Sequence, residues 1–272
     1  MSDPRTTLAR PDLAAADLQG LVRAAAYAAT ETYMCVAPAA ALRRTPDPAA
    51  EQLDQLLFGE AFDVLEIKEG WAWGQARRDG YVGFVAVRDL AQGDNAPTHR
   101  VSALRAYGFS KPDIKSAPVG LYSLNALVRV VAEEGRFAHA EGAGWFASSQ
   151  LSPIGVFETD PAAVAERYLG APYQWGGRES LGLDCSGLVQ QALYACGRAC
   201  PRDSDQQAGL GHPVTQDALR RGDLVFWRGH VGMMLDAARM IHANAWHMQV
   251  SLEPLADALA RIGPATAFRR PA

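Results

Sequence analysis

The residue best suited to chemistry in this sequence is Cys185, in the run Asp184-Cys185-Ser186-Gly187 at the start of a predicted helix over residues 185–196. Asp184 is a good N-cap residue, so we expect the thiol in the first turn of that helix. Unpaired backbone amides and the helix dipole favour an anion at this end of a helix. We therefore expect the thiol pKa to be lowered and the thiolate to be nucleophilic.

The alternative for a cysteine in a helix is an inert core residue, which is the commoner case. We expect that role for Cys196 and Cys200. For Cys185 the glycines Gly176, Gly177 and Gly182 favour a catalytic role, because they predict an open and flexible approach to the thiol. A substrate carbonyl could then reach both the sulfur and the backbone amide of Cys185, which is a natural oxyanion donor.

Two histidines are candidates for the proton transfers that such a nucleophile needs. His230 follows a strand-like run over residues 222–227 and precedes another apolar run, so a sheet would hold its imidazole beside the helix as a general base. His242 could hydrogen-bond the second ring nitrogen of His230 and select its tautomer. A lone histidine near a turn is usually a solvated polar group, but with Cys185 these two form a candidate triad. No metal or organic cofactor is expected.

The elements around these residues indicate an α+β domain. Asp160-Pro161 is typical of a helix start, and we predict a helix from there toward Leu169. After the helix that carries Cys185, strand-like runs occur at residues 223–227, 231–235, 239–243 and 248–252. A helix followed by a four-strand meander is typical of the α+β class.

Short strand-like runs broken by turn residues precede this domain and are typical of small barrels. They occur at residues 61–67, 71–74 and 81–85 and, after a break at residues 93–97, at residues 126–131 and 136–140. The run Gly144-Trp145-Phe146-Ala147 repeats the pattern of Gly83-Phe84-Val85-Ala86. We predict two tandem copies of one module, which resembles bacterial SH3-like domains.

An alanine-rich stretch over residues 11–29 precedes the modules and predicts a short leading helix. Its apolar residues are spaced for one helical face: Leu13, Leu18, Leu21 and Val22. The predicted domains are a helical segment at residues 1–30, two SH3-like modules at residues 31–93 and 94–152, and a catalytic domain at residues 153–272.

The composition excludes several classes of function. The 272 residues, 49% hydrophobic and 21% charged with a formal charge of −4, are typical of a soluble protein of several domains and offer no basic surface for nucleic acid. The four cysteines are too sparse for a disulfide scaffold and lack the paired spacing of structural zinc. Asp12, Asp17 and Arg23 interrupt the early apolar runs, so we expect no signal peptide, no membrane partner and a cytoplasmic monomer.

Five ordered blocks of the sequence resemble the NlpC/P60 family of papain-like cysteine peptidases. The blocks are Tyr168-Leu169-Gly170 with Pro172-Tyr173 and Trp175-Gly176-Gly177, then Asp184-Cys185-Ser186-Gly187-Leu188-Val189, then Gly222-Asp223-Leu224-Val225-Phe226, then Gly229-His230-Val231-Gly232, then Ile241-His242-Ala243. The resemblance implies a catalytic Cys185, a base at His230, a third polar residue at His242 and a position near the oxyanion hole for Tyr173.

Two SH3-like domains ahead of such a peptidase resemble the γ-D-glutamyl-L-diamino acid endopeptidases that recycle cell-wall peptides. The resemblance implies a tripeptide or tetrapeptide substrate with a free N-terminal L-alanine, and a first SH3-like domain that restricts the active site. The residues that match its substrate-binding positions are Asp184, Ser186, Trp175, Ser204 and Tyr81, with Glu60 as a candidate for the acidic partner of the substrate amine. A buried ammonium needs such a carboxylate, because an unpaired buried charge costs several kcal/mol.

Simpler roles remain open for most of these supporting residues. Tyr173 and Trp175 could be core aromatics, Tyr81 could pack within a small barrel, and Asp184 could be a helix cap alone. Arg202, next to Pro201, is interpreted first as part of a surface turn. Two other functions also stay open: a secreted hydrolase of polymeric cell wall, and a non-catalytic protein that binds muropeptides.

Overall fold

The computed structural model describes residues 3–94 and 96–271, and the chain divides into two compact units, Met1–Ile154 and Gly155–Ala272. The division falls close to the predicted start of the catalytic domain at residue 153. Asn95, within the predicted break between the two modules, and the outermost residues of the predicted terminal domains lie outside the described residues.

The first unit consists of strands joined by turns and short 3-10 segments. Its strands are β1 (Leu13–Ala15), β2 (Ala26–Ala28), β3 (Glu31–Cys35), β4 (Ala39–Arg43), β5 (Gln52–Leu57), β6 (Ala61–Lys68), β7 (Trp71–Ala76), β8 (Val82–Ala86), β9 (Leu90–Gln92), β10 (His99–Val101), β11 (Arg105–Phe109), β12 (Pro118–Ser123), β13 (Leu127–Val128), β14 (Val130–Glu134), β15 (Phe137–Ala140), β16 (Gly144–Ala147) and β17 (Leu151–Pro153).

The leading helix predicted over residues 11–29 is wrong. The stretch forms β1 and β2, which pair in parallel with Leu13 opposite Ala26, and a 3-10 turn at Ala16–Leu18 lies between them. Leu13 and Leu18 pack against a small cluster around the buried Trp73. Helical spacing of the leucines and high alanine content were therefore outweighed by strand pairing and by contacts with a side chain far along the chain.

The strands of residues 31–92 form one sheet in the order β5-β4-β8-β7-β6-β3-β9. The strands predicted at residues 61–67, 71–74 and 81–85 are confirmed as β6, β7 and β8. Gly74 of β7 lies opposite Gly83 of β8, and a Cβ at either position would collide with a neighbouring strand. The inner face of the sheet carries an apolar cluster that includes Cys35, Leu42, Phe62 and Val85.

Residues 99–153 form a five-stranded sheet, β12-β11-β16-β15-β14, and a three-stranded sheet, β13-β10-β17. The repeated Gly-aromatic runs lie in β8 and β16, and each is followed by a 3-10 turn and a short strand. The hydrogen-bonded strand orders of the described residues are linear, and no closed barrel is found among them. A second SH3-like module over residues 94–152 stays a prediction.

The described residues of the second unit form four α-helices, a six-stranded sheet and a two-stranded sheet. The elements are α1 (Pro161–Glu166), β18 (Arg178–Glu179), β19 (Gly182–Leu183), α2 (Cys185–Ala195), α3 (Ser204–Gln207), β20 (His212–Pro213), β21 (Leu224–Trp227), β22 (His230–Met234), β23 (Arg239–Asn244), β24 (Gln249–Pro254), α4 (Leu255–Ile262) and β25 (Ala267–Arg270). The predicted helix start at Asp160 is confirmed, since its carboxylate accepts from the Ala162 amide at 2.9 Å.

The sheet of this unit has the order β20-β25-β21-β22-β23-β24. The four predicted strands are confirmed as β21, β22 and β23 inside the sheet and β24 at its edge. Helix α2 is buried along its whole length and packs against β22 and β23. Leu188, Val189, Ala192 and Leu193 give this buried helix its apolar contacts, and the helix also buries the polar side chains of Gln190 and Gln191. This packing brings the first turn of α2 beside the start of β22. Within the described part of the chain, no helix has the length and apolar character needed to cross a membrane.

Candidate active site

Cys185 is the first residue of helix α2, as predicted, and Asp184 is its N-cap. The Asp184 carboxylate accepts from the Gly187 backbone amide at 2.7 Å, which satisfies one of the amides that the helix leaves without an internal partner. The backbone N–H of Cys185 belongs to the same group of helix-start donors. The thiol itself is buried, with 7% of the residue exposed, and is not in a disulfide.

A buried ion pair holds this helix start in place. Arg202 donates to both carboxylate oxygens of Asp184, at 3.0 and 2.6 Å, and to the Ser186 hydroxyl at 2.8 Å. Ser186 in turn donates to Asp184 at 3.1 Å. Arg202 is 1% exposed, so its assignment to a surface turn is wrong. A buried carboxylate needs a counter-ion. The acidic N-cap Asp184 at the start of a buried helix was therefore the signal that could have pointed to a buried arginine.

The glycines before the helix serve close packing rather than openness. Gly176, Gly177 and Gly182 are all buried. A Cβ at Gly177 would meet the Gly182 carbonyl oxygen, and one at Gly182 would meet the Gln174 side chain. Gly176 has a φ of +71° and donates its amide to Asp184 at 2.9 Å. The prediction of a flexible, open approach is therefore wrong, because the backbone segments here contact one another directly.

His230 begins strand β22 and lies next to the candidate nucleophile. The backbone N–H of the following residue, Val231, donates to the Cys185 sulfur. His230 Nε2 lies 2.9 Å from Nδ1 of His242 in β23. The β22–β23 register, continued by one pair, places Gly232 opposite His242, so the two histidines are diagonal neighbours on one face of the sheet. The structure thus brings Cys185, His230 and His242 together.

Glu253 and Arg261 lie behind His242, and sequence reasoning missed both. Glu253 Oε2 is 3.0 Å from His242 Nε2, within ion-pair distance but without the alignment of a hydrogen bond. Arg261 of α4 donates to both Glu253 oxygens, at 2.6 and 3.3 Å. The available signal was strand pairing, because Ser251 lies opposite His242 and Glu253 is two residues further along the same face.

The thiol is protonated in the resting site. Burial raises the pKa of Cys185 to about 12, and the charge of Asp184 acts in the same direction. The backbone amides of Val231 and Ser186 and the charge of Arg202 favour the thiolate but do not offset the burial. The expectation of a lowered thiol pKa is therefore wrong, because desolvation of an enclosed sulfur outweighs the donors at the helix start.

Both histidines are neutral near pH 7. Burial lowers the pKa of His230 to about 3, with further lowering by His242 and Arg261 and opposite effects from Glu253 and Asp184. Burial lowers the pKa of His242 to about 4, and Arg261 and His247 add to the effect. A neutral imidazole can accept a proton from a thiol, so the resting pair is set up for general-base catalysis.

Tyr173 and Trp175 lie on the segment that leads to the helix. The Tyr173 amide donates to the Met248 carbonyl at 3.0 Å, and its half-buried side chain is close enough for the charges of Cys185 and Asp184 to act on it. Burial, with those charges, raises the pKa of Tyr173, so its hydroxyl keeps its proton. Trp175 is 60% exposed, which excludes a role as a core aromatic.

Ser204 is buried in the first turn of helix α3, within the same unit as Cys185. The neighbouring Gln207 donates to the Ser186 carbonyl at 3.0 Å, which links α3 to the start of α2. Among residues 3–94 and 96–271, no group of three or more His, Cys, Asp or Glu side chains is placed to hold a metal ion.

Glu60 and Tyr81 belong to the first unit. Glu60 is 1% exposed, accepts from the Leu57 amide at 3.0 Å and forms an ion pair with Arg78 at 2.6 Å. Tyr81 is 4% exposed and packs in the apolar cluster around Cys35. The structure therefore places both residues inside the first unit, and their predicted contacts with substrate remain predictions.

Two family models match parts of this chain. The NlpC/P60 family matches residues 170–261, the region that contains Cys185, His230 and His242. The bacterial dipeptidyl-peptidase Sh3 domain matches residues 42–90, within the seven-stranded sheet.

Curated relatives extend over most of the chain. A dipeptidyl-peptidase 6 of Lysinibacillus sphaericus is 27% identical over 248 residues, which are 81% of this chain and 90% of the relative. A γ-D-glutamyl-L-lysine dipeptidyl-peptidase of Bacillus subtilis is 28% identical over 229 residues, which are 75% of this chain and 76% of the relative.

A solved structure shares the fold. The crystal structure of an NlpC/P60 family protein from Bacillus cereus aligns with a TM-score of 0.78 at 21% identity. The alignment covers 88% of this chain and 99% of the other. At this identity the likeness concerns the fold.

Proposed function

We propose that this chain, a cysteine peptidase with an NlpC/P60 domain and a bacterial SH3 domain, hydrolyses the amide between γ-D-glutamate and a diamino acid in cell-wall peptides. We further propose that the preferred peptides carry a free N-terminal L-alanine and contain diaminopimelate or lysine. The observation that carries the proposal is the adjacency of Cys185 at the start of α2, His230 at the start of β22 and His242 beside it. The name of the Bacillus subtilis relative, a γ-D-glutamyl-L-lysine dipeptidyl-peptidase, supports the assignment of the bond that is cut.

The proposed reaction begins with neutral groups. His230 takes the thiol proton of Cys185 as the sulfur attacks the γ-carbonyl carbon, so the thiolate exists only while the new C–S bond forms. The amides of Val231 and Ser186, which point at the sulfur, stabilise the charge in that step. Burial of the resting thiol then protects it from reactions in the absence of substrate.

The negative charge that develops on the carbonyl oxygen needs preorganised donors. The Cys185 backbone N–H is one, because the first amides of a helix have no intrahelical acceptor. The Tyr173 hydroxyl is the second, because its raised pKa keeps it protonated and able to donate. His230 then gives its proton to the leaving amine. In the second step His230 takes a proton from water as the water attacks the thioester carbon, and it returns that proton to the Cys185 sulfur as the C–S bond breaks.

Substrate recognition is proposed to involve Asp184, Ser186, Trp175 and Ser204. The first two are saturated by Arg202, so their contribution is to present a rigid polar wall beside the sulfur. Trp175 is exposed, and we propose that its ring covers an apolar part of the peptide. If Glu60 accepts the substrate ammonium, the ammonium must share this carboxylate with Arg78.

We place the reaction in the recycling of wall peptides by a cytoplasmic monomer. A free N-terminal L-alanine arises only after the peptide has been released from the glycan, so preference for a free amine and action on released peptides belong together. This setting distinguishes the proposal from a hydrolase of polymeric wall.

The test uses L-Ala-γ-D-Glu-diaminopimelate, L-Ala-γ-D-Glu-L-Lys and their N-acetylated forms, with products identified by mass spectrometry. We expect release of L-Ala-γ-D-Glu from the free peptides and a roughly 5- to 150-fold lower rate with the acetylated ones, because a lost buried ion pair or hydrogen bond costs roughly 1–3 kcal/mol. Equal cleavage of acetylated peptides would remove the free-amine requirement. No cleavage of any of the four peptides would contradict the proposed function.

A further inference from the structure

We propose that Glu253, held by Arg261, is a positioning residue that sets the proton positions on both histidines, so that Nδ1 of His230 is left unprotonated toward the thiol. The inference rests on the proposed function only in taking Cys185 and His230 as the reacting pair. It extends the triad by a carboxylate and an arginine that the sequence motifs do not include.

The geometry of strands β23 and β24 places the carboxylate behind the second histidine. His242 lies opposite Ser251, and Glu253 is its diagonal neighbour, with Oε2 3.0 Å from His242 Nε2. Both residues are buried. The His242 ring therefore lies between Glu253 on one side and His230 on the other.

The short distance determines which nitrogen of His242 carries the proton. If Nε2 were unprotonated, its lone pair would face a carboxylate oxygen at 3.0 Å in a buried site, and two acceptors would repel each other. A proton on Nε2 instead gives a charge-assisted donor to Glu253. The present alignment is imperfect, as is common for catalytic hydrogen bonds before substrate binds.

The proton positions on the remaining nitrogens follow from this one. Neutral His242 with its proton on Nε2 has an accepting Nδ1, so His230 Nε2 must donate across the 2.9 Å contact. Neutral His230 with its proton on Nε2 has an unprotonated Nδ1. That nitrogen is the base that the thiol needs, and the opposite arrangement would present the thiol with an N–H group.

Arg261 keeps the carboxylate in place and limits its effect. Its two bonds to Glu253 fix the plane of the carboxylate, and its guanidinium lies 5.5 Å from the Trp246 ring centroid. The charged or titratable groups that act on His230 are His242, Arg261, Glu253 and Asp184. Those that face His242 are Glu253 and His230 in direct contact, with Arg261 and His247 acting through their charge. Glu253 favours a protonated His230 and Arg261 opposes it more strongly, so the pair leaves His230 neutral at rest while Glu253 holds the proton position on His242.

The direct test is the ¹⁵N spectrum of the intact protein with labelled histidine, since protonated and unprotonated imidazole nitrogens differ strongly in chemical shift. We expect His230 and His242 both to carry the proton on Nε2 near pH 7. A proton on Nδ1 of His242 would overturn the proposal. This readout needs no substrate and no variant.

The kinetic test compares Glu253→Gln and Glu253→Ala with wild type. The Gln oxygen can still accept from His242 Nε2 but carries no charge, so we expect a smaller loss for Gln than for Ala. For Ala we expect kcat to fall roughly 10–100-fold, the usual size for a residue behind a catalytic ligand, with KM changed less than twofold. Alkylation of Cys185 by iodoacetamide near pH 7 should slow in the same order.

The matched control is Glu166→Gln, which removes a carboxylate that pairs with Arg221 on the surface of the same unit. We expect no change in kcat or in alkylation. If Glu253→Ala does not fold, Glu253→Gln, Arg261→Met and the wild-type spectrum still decide the matter. Folded Glu253 variants with wild-type kcat and alkylation rate would overturn the proposal. The expected spectrum and alkylation order in a protein that cleaves none of the peptides would refute only the proposed substrate.

Discussion

Cys35 and Cys185 are both buried thiols, but their hydrogen bonds run in opposite directions. Cys35, at the end of β3, donates its S–H to the Ala37 carbonyl at 3.3 Å and lies in an apolar cluster. The Cys185 sulfur instead receives the amides of Ser186 and Val231. Acceptors around a thiol stabilise its neutral form, whereas donors stabilise the anion when it forms. Burial therefore does not distinguish a core cysteine from a candidate nucleophile. The direction of the hydrogen bonds around the sulfur distinguishes them.

The surroundings beyond the sulfur differ in the same sense. The cluster around Cys35 consists mainly of aliphatic and aromatic side chains. Around Cys185 the structure buries the Asp184–Arg202 ion pair and His242, and it half-buries His230. The first site depends on packing for its stability, and the second depends on satisfied charges and neutral imidazoles.

The largest difference between the two sites should appear in activity. Cys185→Ala removes the nucleophile, so we expect kcat for L-Ala-γ-D-Glu-diaminopimelate to fall by roughly 10⁴-fold or more. Cys35→Ala should leave kcat within about twofold, because Cys35 packs in the apolar cluster of the first unit and donates its S–H to backbone carbonyls. Product release measured by mass spectrometry checks both. Substantial activity in Cys185→Ala, or its loss in a folded Cys35→Ala, would remove the distinction between the sites.

The next prediction concerns the buried ion pair between Asp184 and Arg202, next to Cys185. Arg202→Met leaves the Asp184 carboxylate buried without its counter-ion, so we expect the free energy of unfolding to fall by about 3–5 kcal/mol. The control Arg221→Met breaks a half-exposed pair with Asp160 and should cost less than about 1 kcal/mol. Urea denaturation at pH 7 measures both. Similar losses in the two variants would show that burial of the first pair has no special energetic role.

The two sites should also differ in how the stability around them responds to acid. The folded-state pKa values of about 3 for His230 and about 4 for His242 lie below the ordinary 6.5. As the pH falls below about 6.5, the unfolded chain takes up protons that the folded chain does not, so stability is lost as the pH falls toward these values. The loss is about 1.4 kcal/mol per pH unit for each histidine.

Hydrogen exchange between pH 6.5 and 4.5, corrected for intrinsic exchange rates, checks this difference by location. We expect protection to fall for amides of β22 and β23 and to change little for β3 and β4. The variant His242→Asn should show about half of the pH dependence in β22 and β23. An equal loss of protection around Cys35 would mean that the histidines are not its source.

Much of the candidate site followed from short motifs. The helix start at Asp184-Cys185 and the strands that carry His230 and His242 are confirmed, because caps, glycine turns and alternating apolar residues are local signals. The prediction of a leading helix over residues 11–29 is wrong because the structure of this stretch depends on contacts with distant residues. Its leucines have helical spacing, but their packing around Trp73 and the pairing of β1 with β2 depend on contacts that no local pattern contains.

The sequence by itself determined which residues are candidates for chemistry and the elements that carry them, since residue type and local periodicity are sufficient for that. Only the tertiary structure decided the environment of those residues. It buried Cys185 and thereby raised its pKa, brought Arg202 from another segment to Asp184, and placed Glu253 beside His242. Desolvation and charge pairing depend on distances between segments remote in the chain, and those distances exist only once helix α2 has packed against its sheet.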